Sequence, residues 1–195
     1  MIAEILLVGT ADGLAIYTAT PSSSLTRMSH ALAGMAVTAI MAISSDMLIA
    51  AVAAGQAQES FDGGRTWRTT ASTAPVPIGV QVATRHGPSS VAYPRLSGAT
   101  AYARIGGTPA TLLGAGAGGM LLFRSADDGI HWQPAGMDSD PGMITTIVPS
   151  AQHSAAAWAG SNTGALLHTS DQGQTWRRVA TEPAAILCLA ATTAA

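Results

Sequence analysis

Thr169-Ser170-Asp171-Gln172-Gly173-Gln174-Thr175-Trp176 decides the reading of this chain, because the same eight-residue pattern stands at two other places. Ser60-Phe61-Asp62-Gly63-Gly64-Arg65-Thr66-Trp67 repeats it, and so does Ser125-Ala126-Asp127-Asp128-Gly129-Ile130-His131-Trp132, with His131 in the threonine position. The residue types are those of a hairpin turn. An aspartate accepts N–H bonds from the residues after it, and a glycine takes the positive φ that the reversal needs. A Ser or Thr hydroxyl adds a local bond. The tryptophan starts the return strand and offers a wide apolar plate to a neighbouring sheet.

Working outward, each turn follows the same succession of short apolar runs and Gly-containing turns. Met35 to Ser44 and Asp46 to Ala54 precede Asp62. Ile144 to Ser150, Ala155 to Gly160 and Ala165 to Thr169 precede Asp171. Such runs read as β-strands. Asp127 and Asp171 are 44 positions apart, the length of one four-stranded propeller blade. A degenerate copy opens the chain, with Thr20 in the aspartate position and Asp62 following 42 positions later. That copy lacks its first strand, and the segment around Ala184 to Ala191 supplies a spare one.

The expectation is therefore an all-β fold: a small β-propeller in one domain, 1–195, its ring closed by the C-terminal strand completing the N-terminal blade. The blades are roughly 184–195 with 1–28, then 35–70, 76–134 and 143–180. Asp62 to Asp127 spans 65 positions, too many for one blade and too few for two. Four blades with an inserted hairpin over 76–95 is the favoured count. The hairpin is expected to run from Ile78 to Ala83 and from Ser90 to Pro94, turning at Arg85-His86-Gly87-Pro88. Five blades, or two chains sharing one eight-bladed ring, are the alternatives.

Composition narrows function. Charged residues are 10% of the chain and 48% are hydrophobic, so the chain must fold. Alanine supplies 39 of the 195 residues, which suits closely packed sheets. A net charge of −2 and a pI near 6.2 offer no bulk field for nucleic acid or anionic membrane. No apolar run reaches the roughly 18 residues of a membrane helix. Glu4 stands where a signal peptide needs positive charge. Cytoplasmic localisation, without membrane insertion, is expected. Cys188 lies in an apolar run and reads as a buried small hydrophobe.

The three turns resemble the Asp-box, or BNR, repeats of sialidases, photosystem II assembly-factor propellers, lectin-like and sortilin-type propellers and some cellulose-acting hydrolases. The resemblance implies a propeller whose boxes lie on the lower rim, away from the axial ligand face. It assigns a structural role to Ser60, Asp62, Gly64, Thr66, Trp67, Ser125, Asp127, Gly129, Trp132, Thr169, Asp171, Gly173, Thr175 and Trp176. The sialidase pattern of an Arg-Ile-Pro segment, an arginine trio and a Tyr/Glu pair is not met. Arg104-Ile105-Gly106 lacks the proline, and neither Glu4, Glu59 and Glu182 nor Tyr17, Tyr93 and Tyr102 fall in a recognisable partner context.

Other chemistry is thin. Facing carboxylates about 5 to 9.5 Å apart are needed for glycoside hydrolysis, and the acids outside the boxes are scattered. Asp138 and Asp140 precede a Pro-Gly turn, Pro141-Gly142, and offer too few ligands for Ca²⁺. The five histidines have no metal-ligand spacing. Gly114 to Gly119 reads as an inter-strand turn, and Trp158, within Ala155 to Ala159, as core. Neither a cofactor nor a metal is expected. Arg85, His86, Asp138, Asp140, Arg177 and Arg178 form the candidate binding surface. The function expected is a non-catalytic scaffold that binds a protein partner, as a monomer or homodimer. A glycan-binding or hydrolase-like propeller and a self-assembling subunit are the alternatives.

Overall fold

A computed structural model describes residues 3–20, 24–53, 55–70, 82–84, 87–88, 96, 98–106 and 110–194. The chain begins with Glu4–Thr10 (β1), Gly13–Ala19 (β2), Leu25–Ala31 (β3), Val37–Ala42 (β4), Leu48–Val52 (β5), Ala57–Ser60 (β6) and Arg68–Thr70 (β7). Val82–Thr84 (β8), Gly87–Pro88 (β9), Ala101–Ile105 (β10), Thr111–Gly116 (β11), Leu121–Ser125 (β12), Gln133–Pro134 (β13) and Gly136–Met137 (β14) follow. Ile144–Pro149 (β15), Ala157–Ser161 (β16), Ala165–Thr169 (β17), Thr175–Thr181 (β18) and Ile186–Thr193 (β19) complete it.

Among the described residues these strands make four sheets, an all-β arrangement consistent with a small propeller. The first sheet runs β19-β1-β2-β3, the second β4-β5-β6-β7, the third β13-β12-β11-β10-β8-β9 and the fourth β14-β18-β17-β16-β15. The C-terminal strand β19 lies antiparallel to β1, with Leu6 opposite Ala191 and Val8 opposite Leu189. The spare strand at the end of the chain thus supplies what the first sheet lacks.

The strands form where side-chain period and burial agree. β5 alternates buried Leu48, Ala50 and Val52 with half-buried Ile49 and Ala51, because one face meets a neighbouring sheet more closely than the other. β16 is buried throughout, so its sequence Ala-Trp-Ala-Gly-Ser shows no alternation. Gly9 and Gly160 sit where neighbouring sheets approach closely. A Cβ on Gly9 would lie 3.0 Å from Val37 Cγ1 of the second sheet, and one on Gly160 would collide with Ile186 Cγ2 of the first. Sheets this close need small residues, which accounts for the alanine content.

Three core clusters join the sheets in pairs. Leu7, Leu14 and Ile16 of the first sheet meet Val37, Leu48 and Ala50 of the second. Leu6, Val8 and Tyr17 of the first sheet meet Val148, Trp158 and Leu166 of the fourth. Ala103, Leu113 and Leu122 of the third meet Ile147, Ala159 and Trp176 of the fourth. The packing order is thus second, first, fourth, third.

Two expectations are corrected in this region. The glycine-rich run Gly114 to Gly119 is not one turn: Gly114 and Gly116 belong to β11, and only Ala117–Gly119 leave the strand. Their missing Cβ atoms make room for Leu96, which would lie 2.8 Å from a Cβ on Gly114 and 2.9 Å from one on Gly116. In the insertion, β8 and β9 pair antiparallel, so the return strand begins at Gly87, inside the stretch read as the turn. β8 also runs parallel to β10, with Val82 opposite Tyr102, which extends the third sheet. Ile78 to Gln81 and Ser90 to Pro94 lie outside the described residues.

Candidate functional site

The three repeated turns have one geometry. In the first, Asp62 Oδ1 accepts Arg65 N at 3.0 Å and Thr66 N at 2.9 Å, while Oδ2 accepts the Thr66 hydroxyl at 2.6 Å. The Ser60 hydroxyl donates to Asp62 Oδ1 at 2.8 Å and accepts Gly64 N at 2.8 Å. Around Asp171, the Thr169 and Thr175 hydroxyls donate at 2.8 and 2.6 Å, and Thr175 N donates at 3.0 Å. Around Asp127, Ser125 plays the same part, and His131 Nδ1 stands 2.7 Å from Oδ2, where the others have a threonine hydroxyl. An imidazole replaces the threonine because the position requires only a donor. Gly63 and Gly64, Asp128 and Gly129, and Gln172 and Gly173 all have positive φ, so each turn uses two left-handed residues in succession.

Donors of this density hold the carboxylates in their charged form. The Thr66 hydroxyl and then its N–H take Asp62 down to about 2. The His131 N–H, the Ser125 hydroxyl and the His131 ring lower Asp127 further. At Asp171 partial burial pushes upward, but the Thr175 and Thr169 donors override it and the pKa is lowered. These groups are committed to their own turns. Two of the tryptophans that follow face the preceding sheet. Trp176 joins the core shared with the third sheet and Trp67 the one shared with the first. Trp132 is half-buried and tilted at 52° against Tyr102.

Two glutamates that had no recognisable partner in the sequence are buried at the contact between the first and fourth sheets. Glu182, 3% exposed, accepts the Tyr17 hydroxyl and meets Arg27 Nη2 at 3.2 Å. Burial, followed by the Glu182 hydrogen bond, raises the Tyr17 phenol far above its usual range. The sequence reading that left Tyr17 and Glu182 without a partner context is therefore corrected. Their partners are distant in the chain, and sequence order does not bring them together. Glu4, also 3% exposed, accepts Ser150 Oγ at 2.9 Å and Ala151 N at 2.6 Å. Burial raises its pKa despite those donors.

The upper end of the sheets, which carries the turns between β1 and β2 and between β16 and β17, is tied by its backbone. Gly34 N donates to Asp12 O, and Ala11 N to Ala185 O. Of the candidate binding residues, Asp138, Asp140 and Arg178 come together along the β14–β18 edge of the fourth sheet, where Arg178 stands opposite Leu167. Arg178 Nη2 donates to Asp140 O at 2.6 Å, and Arg178 N reaches Asp138 Oδ1 at 3.4 Å. Arg177 is exposed beside them in β18, opposite His168. Arg85 and His86 lie outside the described residues.

The loops at this end expose large apolar side chains. Met35 is 42% exposed, Met120 51%, Leu121 44% and Met143 40%. Each methionine directly follows a glycine of positive φ, Gly34, Gly119 or Gly142. A Cβ on Gly119 would lie 2.7 Å from Met143 Cγ, so two of the three methionine-bearing loops touch. The sequence marks these positions only by a recurring Gly-Met pair at the ends of the turns.

Cys188 and Trp158 both lie where the sequence reading places them. Cys188 is buried, and burial pushes its thiol up to about 12, which leaves it unreactive. Trp158 is core, 2% exposed. Among the described residues no group of three His, Cys, Asp or Glu is placed to hold a metal ion, and no helix is long and apolar enough to cross a membrane.

No protein-family model and no curated protein matches the chain. Solved structures do. A GH74 enzyme from Niastella koreensis is 16% identical over 94% of this chain and 25% of its own length, at a TM-score of 0.37. A nidogen/laminin complex is 10% identical over 94% of this chain and 64% of that one, at 0.35. YCF48 bound to D1 peptide is 11% identical over 89% and 76%, at 0.27. The GH74 enzyme and YCF48 are β-propeller proteins. The chain spans a quarter of the first of these structures and under two thirds of the second. Likeness at this level says nothing about activity or ligand.

Proposed function

We propose that this chain is a single-chain Asp-box propeller of four blades, closed by β19 on β1, that works as a non-catalytic docking module for a protein partner. The observation that carries the docking role is the set of exposed methionines, Met35, Met120 and Met143, on tied loops at one end of the sheets. Methionine is flexible and polarizable, and it serves protein surfaces that mould to a partner. The loops beneath it are held by backbone bonds, so little ordering cost falls on association. Asp138, Asp140 and Arg178 supply a polar patch along the edge of the fourth sheet that leads up to Met143.

The carboxylates support the non-catalytic side of this reading. Asp62, Asp127 and Asp171 are engaged by their own turns, and Glu4 and Glu182 are tied into the contact between sheets. Glu4 opens β1 at the lower end of the sheets, whereas Glu182 follows β18 at the upper end, so they do not form a facing pair.

The test compares capture of partners from native extract by the wild-type chain and by the triple variant Met35→Gln, Met120→Gln, Met143→Gln. All three positions are exposed, so the variant keeps its melting temperature. A stoichiometric protein retained by the wild type and lost by the variant is expected. Equal retention by both removes the methionine face from the account.

A further inference from the structure

A cleft of about 340 Å³ opens between the lower ends of the first and fourth sheets, at the opposite end from the methionines. Glu4 and Thr20 come to it from the first sheet, and His153, Trp158, His168 and Ser170 from the fourth. Its size falls in the range of small-molecule sites.

The walls define what can enter. Glu4 is the one carboxylate among the lining residues, and no arginine stands among them. It is fixed in place by the Ser150 hydroxyl and Ala151 N–H, which use one site on each oxygen; a carboxylate has further lone pairs to offer. The His168 ring lies over Trp158, with centroids 4.2 Å apart and planes at 39°. Burial, and then the charge of His153, take His168 down to about 4, so at neutral pH its ring presents an uncharged π face. A fixed carboxylate beside the uncharged His168 ring and the tilted Trp158 plane attracts a cation; no arginine lines the cleft to favour an anion, and His153 is the one other titratable base among the lining residues.

We propose that this cleft binds a small organic cation, a primary ammonium or guanidinium group on an alkyl stem, with its charge toward Glu4 and its stem along the His168 ring. The ligand is either a free amine or a basic side chain of a polypeptide. The site is separate from the methionine face, so failure here leaves the docking role standing.

The test is an NMR titration that follows the His153 and His168 ring signals of the whole chain at neutral pH. The probes are n-butylammonium and n-butylguanidinium, with n-pentanol and butyrate as the neutral and anionic comparisons. Saturable shifts with both cations are expected, with binding of pentanol and butyrate at least tenfold weaker. Glu4→Gln is expected to weaken cation binding at least tenfold. Because Glu4 also ties two sheets together, the comparison of probes on the wild-type chain decides the matter if that variant unfolds. Pentanol binding as tightly as butylammonium, or no saturable shift with either cation, overturns the proposal. Putrescine and a capped Gly-Lys-Gly peptide then separate the two sources, the tighter ligand naming the one in use.

Discussion

The Tyr17 hydroxyl donates to Glu182, a residue 165 positions further along the chain and beyond the last strand of the fourth sheet. Arg27 of β3 meets the other oxygen of the same carboxylate. At the lower end of the same contact, Glu4 accepts from Ser150 and Ala151. Two buried glutamates therefore fasten the first sheet to the fourth, one reaching in each direction. Charges this deep hold only while their partners are present.

Tyr17→Phe removes the phenolic donor and keeps the ring that packs against Trp158 and Leu166. A hydrogen bond to a buried charged acceptor contributes about 1.5–3 kcal/mol, so the variant should be destabilised by roughly that amount. Chemical denaturation measures it. A paired Glu182→Gln variant should show non-additive losses, because the two side chains share one bond.

The pH dependence of stability has arms of opposite sign. The three turn aspartates have folded pKa values below 3.8, so their contribution is present above that pH and is lost as pH falls through the folded values. His168 is depressed from 6.5 to about 4, and its contribution is lost as pH falls between those values. Glu4 is raised above 4.5, so its contribution is full below that pH and is lost as pH rises through the folded value. Glu4→Gln should remove only the loss on rising pH. Urea midpoints of both proteins from pH 3 to 8 test this, and curves that stay parallel would contradict it.

Gly173 shows what the repeated turn demands. Its φ is +78°, and a Cβ there would collide with Leu113 Cδ2 of the third sheet. Gly118 has a similar φ of +70° with open space around it. Gly118→Ala should cost about 1–2 kcal/mol, the left-handed penalty alone. Gly173→Ala should cost about 1–3 kcal/mol more, from overpacking. Melting curves of the two variants separate conformation from contact; equal losses would mean that the third and fourth sheets do not press together at this turn.

Much of this fold was legible in the sequence, because the signals that define it are local. Asp62, Asp127 and Asp171 bond within four residues of themselves, so a short pattern was sufficient to read them. The spare strand at the C-terminus was visible by counting strands against the repeat. The pairing of Glu182 with Tyr17 and Arg27, and of Glu4 with Ser150, was not legible, since the contact between two sheets decides it. The methionine face was not legible, because the exposure of Met35, Met120 and Met143 depends on how loops distant in the chain are brought to one end of the sheets. The glycines of β11 misled because a run of Gly and Ala marks either a turn or a strand that another side chain lies flat upon, as Leu96 does on Gly114 and Gly116.

In the proposed four-blade ring the pairing of β19 with β1 closes one chain on itself and sets the first sheet beside the fourth, where the cleft opens. Ile5 stands opposite Thr192 in the β1–β19 ladder, so the double variant Ile5→Cys, Thr192→Cys tests closure directly. Cys188→Ala in the background leaves only the new pair to react. Mild oxidation at low protein concentration should give a disulfide within one chain, read as a monomer on a non-reducing gel. A disulfide-linked dimer, or no disulfide at all, would contradict the single-chain ring.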